Sequence, residues 1–190
     1  MKRNLRVSAA ITILIATLLL STSLSLASTT PSTPVAGTWK ATSAPAATNE
    51  KFAGANFFAD MYNTGVYTGG PIVGTFVQNF KLIDHFADPK VVAGLEGVPV
   101  SSWPDCTFIW NDMVRVFTGS ALGKSGTLNI RLECKGYGST AKGPTGYELE
   151  GNWIILSGTG DLANLHGQGT WWHTKTITGL AYEGQVHFDP

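Results

Sequence analysis

The sequence predicts an all-β protein in which short antiparallel strands, each with one apolar face, enclose a single core. Three observations carry this. Stretches of alternating apolar and polar residues recur along the chain, the sharpest being "SGTLNIRLECKG". Glycine occurs 22 times, and turn signals separate the alternating stretches. No convincing amphipathic helix of about ten or more residues follows the N-terminal segment, although "NEKFAGANFFADMY" has the composition for a short one. Many such strands must either stack as a sandwich or close as a barrel.

The chain opens with an export signal. "MKRNLR" supplies Lys2, Arg3 and Arg6, an apolar stretch runs from Ala9 to Leu20, and small residues Ser25 and Ala27 form a cleavage site. The apolar stretch is shorter than the roughly 20 residues that a membrane-spanning helix needs. Residues 1–27 are therefore expected to be a signal peptide, 28–34 a Pro/Ser/Thr linker and 35–190 the β domain, secreted to the extracellular or periplasmic side. Removing the leader leaves about 160 residues, the size of one domain, with a formal charge of about −3. The chain lacks a basic patch, which argues against nucleic acid as a partner, and it disfavours acidic membrane surfaces once the leader is gone.

The strands follow in order. "VAGTWKAT" puts Val35, Gly37, Trp39 and Ala41 on one side. "NTGVYTGGP" has the composition of a glycine-rich turn region. "GTFVQNFKLIDHF" alternates cleanly, with Phe76, Gln78, Phe80, Leu82 and Asp84 facing one way. "VVAGLEGVPVSSWPD" is looser, its prolines disfavouring a central strand. "CTFIWNDMVRVFTG" and "SGTLNIRLECKG" form a hairpin around "SALGK". Placing Arg115 outward sets Cys106, Phe108, Trp110, Asp112 and Val114 inward in the first, and Leu128, Ile130, Leu132 and Cys134 inward in the second. "GYELEGNWIILSG" turns Tyr147, Leu149, Trp153 and Ile155 inward, and the last strand does so with Leu180, Tyr182, Val186 and Phe188.

Cys106 and Cys134 are the two cysteines of an exported chain, and on this alternation they share a face of one strand pair. A disulfide between them is expected, with two reduced, packed thiols as the alternative.

"GTGDLANLHGQG" is not a phosphate cradle. Ala163 stands where a third glycine would be needed, and no long helix follows. It reads as a corner in which Asp161 caps one turn, Leu162 and Leu165 point into an apolar end, Gly167 supplies positive φ and Gly169 permits a close crossing. "GTGDLANLHGQGTWW" with "GLAYEGQVHFD" resembles the closing half of allene oxide cyclase barrel-like proteins, a superfamily that includes dirigent proteins and uncharacterised microbial members. "GTWKAT" and "GGPIVGTFVQNFKLIDH" are similar to the opening strands of the microbial group. The resemblance spans roughly residues 35–190 and implies a single eight-stranded antiparallel β-barrel; it carries over no catalytic residue. Gly37-Thr38-Trp39 also resembles the lipocalin Gly-x-Trp signature of the calycin barrels, without an arginine on the last strand to stack on the tryptophan.

Such a barrel would be lined by Trp39, Phe76, Gln78, Phe80, Phe108, Trp110, Tyr147 and Trp153, an aromatic cavity for one small apolar ligand. Asp84 and Asp112 would point into it, where desolvation raises a carboxyl pKa and suits it to acid–base chemistry, and Tyr182 could orient a ligand oxygen. Solvated strand-end carboxylates are the plainer alternative for both. The function expected is binding of a small apolar molecule and guidance of its cyclisation, isomerisation or coupling, without a cofactor. The alternative is a carbohydrate-binding or surface-recognition module using Trp103 and whichever of Trp171 and Trp172 faces out. His85, His166, His173 and His187 lack metal-ligand spacing, and no hydrolase motif is present.

Overall fold

The computed structural model describes residues 31–139, 142–177 and 179–190. The leader assigned to residues 1–27 and the first part of the linker lie outside the described residues. The strands are β1 (Thr33–Ala41), β2 (Ala46–Ala53), β3 (Asn56–Gly69), β4 (Ile72–His85), β5 (Cys106–Ala121), β6 (Lys124–Gly138), β7 (Tyr147–Gly160), β8 (Leu165–His173) and β9 (Leu180–Phe188). They form one antiparallel sheet in the order β1–β9–β8–β7–β6–β5–β4–β3–β2. β1 also pairs with β3, Trp39 opposite Tyr67 and Ala41 opposite Gly65, so eight strands close into a ring. β2 lies outside the ring, along the first half of β3.

Alternation sorts the side chains as expected on β4 and β6. Phe76, Gln78, Phe80 and Leu82 are buried, as are Leu128, Ile130, Leu132 and Cys134. Two segments differ from expectation. "NTGVYTGGP" mostly continues β3 rather than turning, and "NEKFAGANFFADMY" holds no helix but the β2–β3 hairpin. In the first, Gly65 lies within the strand beneath the Phe76 ring; in the second, Gly54 makes the turn of the hairpin at φ +60°.

A Cβ on Gly65 would collide with the Phe76 ring, on Gly136 with Phe108, on Gly151 with the Trp171 indole, and on Gly169 or Gly184 with Trp153. Gly169 and Gly184 are cross-strand partners, and Trp153 lies over both. The aromatic interior fits inside eight strands because its rings rest on bare backbone.

The segment between β4 and β5 covers one end of the ring. It contains α1 (Pro89–Ala93), capped by the Asp88 carboxylate, which accepts from the Lys90 amide at 2.8 Å, and a 3₁₀ turn at Val100–Ser102. Phe86, Val92, Leu95 and Trp103 are buried beneath it. The glycine-rich corner closes the other end, with Leu162 and Leu165 at most 1% exposed. Its turn is held by backbone bonds, among them Asp161 N–H to the Ser125 carbonyl at 3.0 Å. The positive φ falls at Gly160 (+61°), not at Gly167, which sits within β8.

β5 departs from simple alternation. Trp110 faces Cys134 but Met113 faces Leu132, so one extra residue is accommodated there, with Asp112 at φ +48°. This bulge reverses the facing of everything after it. Met113, Arg115 and Phe117 are fully buried, while Val114 is exposed, contrary to the expectation that Arg115 faces outward. The tolerance of aspartate for left-handed backbone makes the bulge local and cheap.

Cys106 and Cys134 are free. They share the inner face, but the register pairs Cys106 with Gly138, four residues beyond Cys134. Some 13 Å of strand separates their levels, beyond the reach of a disulfide. Alkylation of the unfolded, unreduced chain should therefore add two adducts, as read by mass spectrometry. Gly169→Ala should cost more than about 2 kcal/mol in denaturant unfolding, because its methyl displaces either the Glu183 carbonyl or Trp153.

Candidate functional site

The middle of the ring is filled. The Arg115 guanidinium lies close to two aromatic rings that meet edge-to-face, 3.9 Å from the centre of Trp39 and 4.0 Å from that of Phe76. Its Nε and Nη2 donate to Gln78 Oε1 at 2.9 and 2.6 Å, and its Nη1 donates to the Tyr67 hydroxyl at 2.9 Å. Phe80 packs on Trp110, and Trp110 on Phe108 and Trp171. Trp153 Nε1 donates to the carbonyls of Thr170 and Glu183. Tyr182 is buried, with its hydroxyl donating to the Gly69 carbonyl at 3.4 Å. The hollow left among these side chains is about 20 Å³, room for about one water molecule. Trp39, Phe76, Gln78, Phe80, Trp110 and Trp153 thus face inward as expected, but they fill the space that was expected to hold a ligand.

A roomier cavity lies at the end covered by the β4–β5 segment. It measures about 230 Å³, a little under the roughly 300 Å³ at which drug-sized sites begin. Phe57, Leu82, Phe86, Trp103 and Phe108 form its apolar wall, and Pro45, Ala47 and Glu50 form its exposed mouth. The wall is continuous with an aromatic cluster: Phe57 and Trp103 meet edge-to-face at 4.8 Å, and Phe52 contacts both. The Trp103 indole donates to the Val98 carbonyl at 3.0 Å, which pins the covering segment.

Asp84 is the inward carboxyl at this cavity. Strand register sets it opposite Phe57 on one side and Phe108 on the other, with Cys106 as its diagonal neighbour. Burial raises its pKa from 3.8 to about 6, and a hydrogen bond with the Cys106 thiol acts in the other direction. Burial and the facing carboxyl push Cys106 up to about 12, so it stays a thiol and is no thiolate nucleophile.

The other two acid–base candidates lie elsewhere. Asp112 sits on the outer face at the β5 bulge, paired with Lys81 at 2.9 Å and well exposed, a correction to its expected inward position. Tyr182 is in the packed middle beside Arg115. Tyr147, its pKa raised to about 12 by burial, stacks on His173 at 4.5 Å near the same end as Asp84 without lining the cavity.

The outer face carries two open hollows of about 830 and 650 Å³, which share Glu133, Asn152 and Thr170. Of the tryptophans expected to be available for recognition, Trp171 and Trp103 are buried, and Trp172 is half-buried at the edge of the second hollow. His166 and His187 stack and both reach Asp189, at 3.2 and 3.3 Å. Among the described residues no group of three or more histidine, cysteine or acidic side chains is placed to hold a metal ion.

Alternation did not reveal Arg115, Trp103, Phe86 or Phe57. For Arg115 the available signal was the Asn111-Asp112 pair inside a strand, a bulge signature. Trp103 and Phe86 lie in or beside an irregular segment, whose docking position no periodicity encodes. The cation over Trp39 comes from β5, not from the last strand where a lipocalin-like arrangement would supply it.

The chain matches no protein-family model and no curated protein. Among solved structures it is similar to a protein of unknown function from the DUF3224 family of Shewanella oneidensis MR-1, at 14% sequence identity and a TM-score of 0.52. The likeness covers 84% of this chain and 99% of that one, and at this identity it is a likeness of fold alone.

Proposed function

We propose that this is an exported β-barrel of the allene oxide cyclase-like kind that binds a small, largely apolar molecule in the end cavity and moves a proton on it through Asp84. The observation that carries this reading is Asp84, the single inward carboxyl of the cavity among the described residues, half-protonated near pH 6 on a mainly apolar wall that also holds Cys106 and Ser139. A carboxyl poised there removes a proton from one atom of a bound molecule and returns it to another, which is isomerisation, or cyclisation where the shift closes a ring. It needs no cofactor. The aromatic wall holds the molecule by burial and stacking, and the covering segment limits water. The carbohydrate-recognition alternative rests on Trp172 and the outer hollows, and a polysaccharide arm of the binding experiment tests it.

Native mass spectrometry of freshly purified protein should show a co-purified small molecule. In titrations, a neutral apolar naphthylamine probe should bind and soluble polysaccharides should not. Ala47→Trp, at the exposed mouth, should weaken probe binding at least tenfold with the core untouched; unchanged binding would overturn the assignment of the cavity.

The Asp84 environment also sets a sign for stability. Its folded pKa is raised to about 6 from 3.8, so the folded state holds the proton more tightly than the unfolded chain does. The stabilising contribution is present below about pH 4 and is lost as pH rises to about 6. Asp84→Asn should leave stability at pH 4 nearly unchanged and raise it by about 2–3 kcal/mol at pH 7.5, measured by denaturant unfolding. With a substrate in hand, the same variant should abolish turnover while retaining binding. A variant that gains nothing at pH 7.5 would place Asp84 in water and remove the acid–base reading.

A further inference from the structure

Arg115 is fully buried, yet every partner it has is neutral. Three of its five N–H donors go to Gln78 Oε1 and the Tyr67 hydroxyl, and the neighbouring Trp39 and Phe76 rings, set edge-to-face to each other, are neutral too. Among the described residues no carboxylate lies within ion-pair distance of it. Aromatic faces and neutral acceptors soften the burial of a guanidinium but leave the interior with an unbalanced positive charge.

Unmatched donors gather around it. Two guanidinium N–H groups have no acceptor among the described residues. The Tyr67 hydroxyl accepts from Arg115, so its own hydrogen is available. Gln78 Nε2 is also buried without a partner, but it does not border the hollow, and the register sets it opposite Asn63, whose buried Oδ1 is an unpartnered acceptor. Beside these, Arg115, Tyr67, Tyr182, Trp39 and Trp171 border the hollow of about 20 Å³. A water molecule there would satisfy hydrogen bonds but not charge. A carboxylate-bearing molecule, sulfate or phosphate is too large for it.

We infer that this hollow is a binding site for one monoatomic anion, chloride in the protein's ordinary surroundings, held by Arg115 and the Tyr67 hydroxyl as the counter-charge of the core. The site is separate from the Asp84 cavity and independent of any activity there. Binding by the folded chain alone raises the folding equilibrium constant in proportion to chloride once its concentration exceeds the dissociation constant. A tenfold rise in chloride then gives about a tenfold rise in that constant.

The test is thermal and denaturant unfolding of the purified protein in sodium chloride against sodium gluconate at matched ionic strength, with crystals soaked in bromide. The expected result is stabilisation by chloride and bromide beyond gluconate, and a bromide anomalous peak at hydrogen-bond distance from the Arg115 guanidinium. Arg115→Met, which keeps the packing and removes the charge, should lose the halide dependence. If that variant does not fold, the bromide peak in the unsubstituted protein decides. Superposed chloride and gluconate curves, or no bromide peak at Arg115, would overturn the site, and water alone would then fill the hollow.

Discussion

The pairing of β1 with β3 turns a sheet into a ring, and nearly everything else depends on it. It is a tight seam. A Cβ on Gly37 would strike the Gly69 carbonyl and the Tyr182 hydroxyl, so the strands close only because this position is bare. Once closed, the ring has a fixed interior volume, and every strand must send alternate residues into it. Aromatic rings meet that demand by lying over glycines on neighbouring strands. The high glycine content therefore serves interior packing as much as turning, and mutations at these glycines act on the core even though the glycines themselves have no side chain to bury.

A full middle decides where binding can occur. With Arg115 packed against Trp39 and Phe76, and with Trp110, Trp153 and Trp171 also filling the interior, the roomier cavity lies at the end where the β4–β5 segment docks. That end brings together the last inward residue of β4, the first inward residues of β5 and the side chains of an irregular segment. Asp84 is inward because alternation makes it so, and its pKa is raised because the wall around it is mainly apolar.

The all-β class, the hairpin around "SALGK", the inner faces of β4 and β6 and the plugging corner were legible in the sequence, because each follows from a period of two or from local turn chemistry. So was Asp84, the end of an uninterrupted alternating run. What was not legible arose from single-residue events and from contacts distant in sequence. One extra residue at Asp112 exchanged the facing of Asp112 and Arg115, turning an expected catalytic carboxyl into a surface ion pair and an expected surface cation into the centre of the core. The strand register then set the two thiols too far apart to join, something shared facing cannot reveal. Trp103 lies in a stretch with no periodicity, and its burial depends on the place where that stretch lands.

β2 has a ladder on one side only, along β3, and its other edge is open among the described residues. It also contributes Ala47 and Glu50 to the mouth of the Asp84 cavity. The doorway is thus built on a strand with a ladder on one side only, the kind of element that opens by local fraying rather than by global unfolding. Local opening at this mouth would leave the ladders of the closed ring intact.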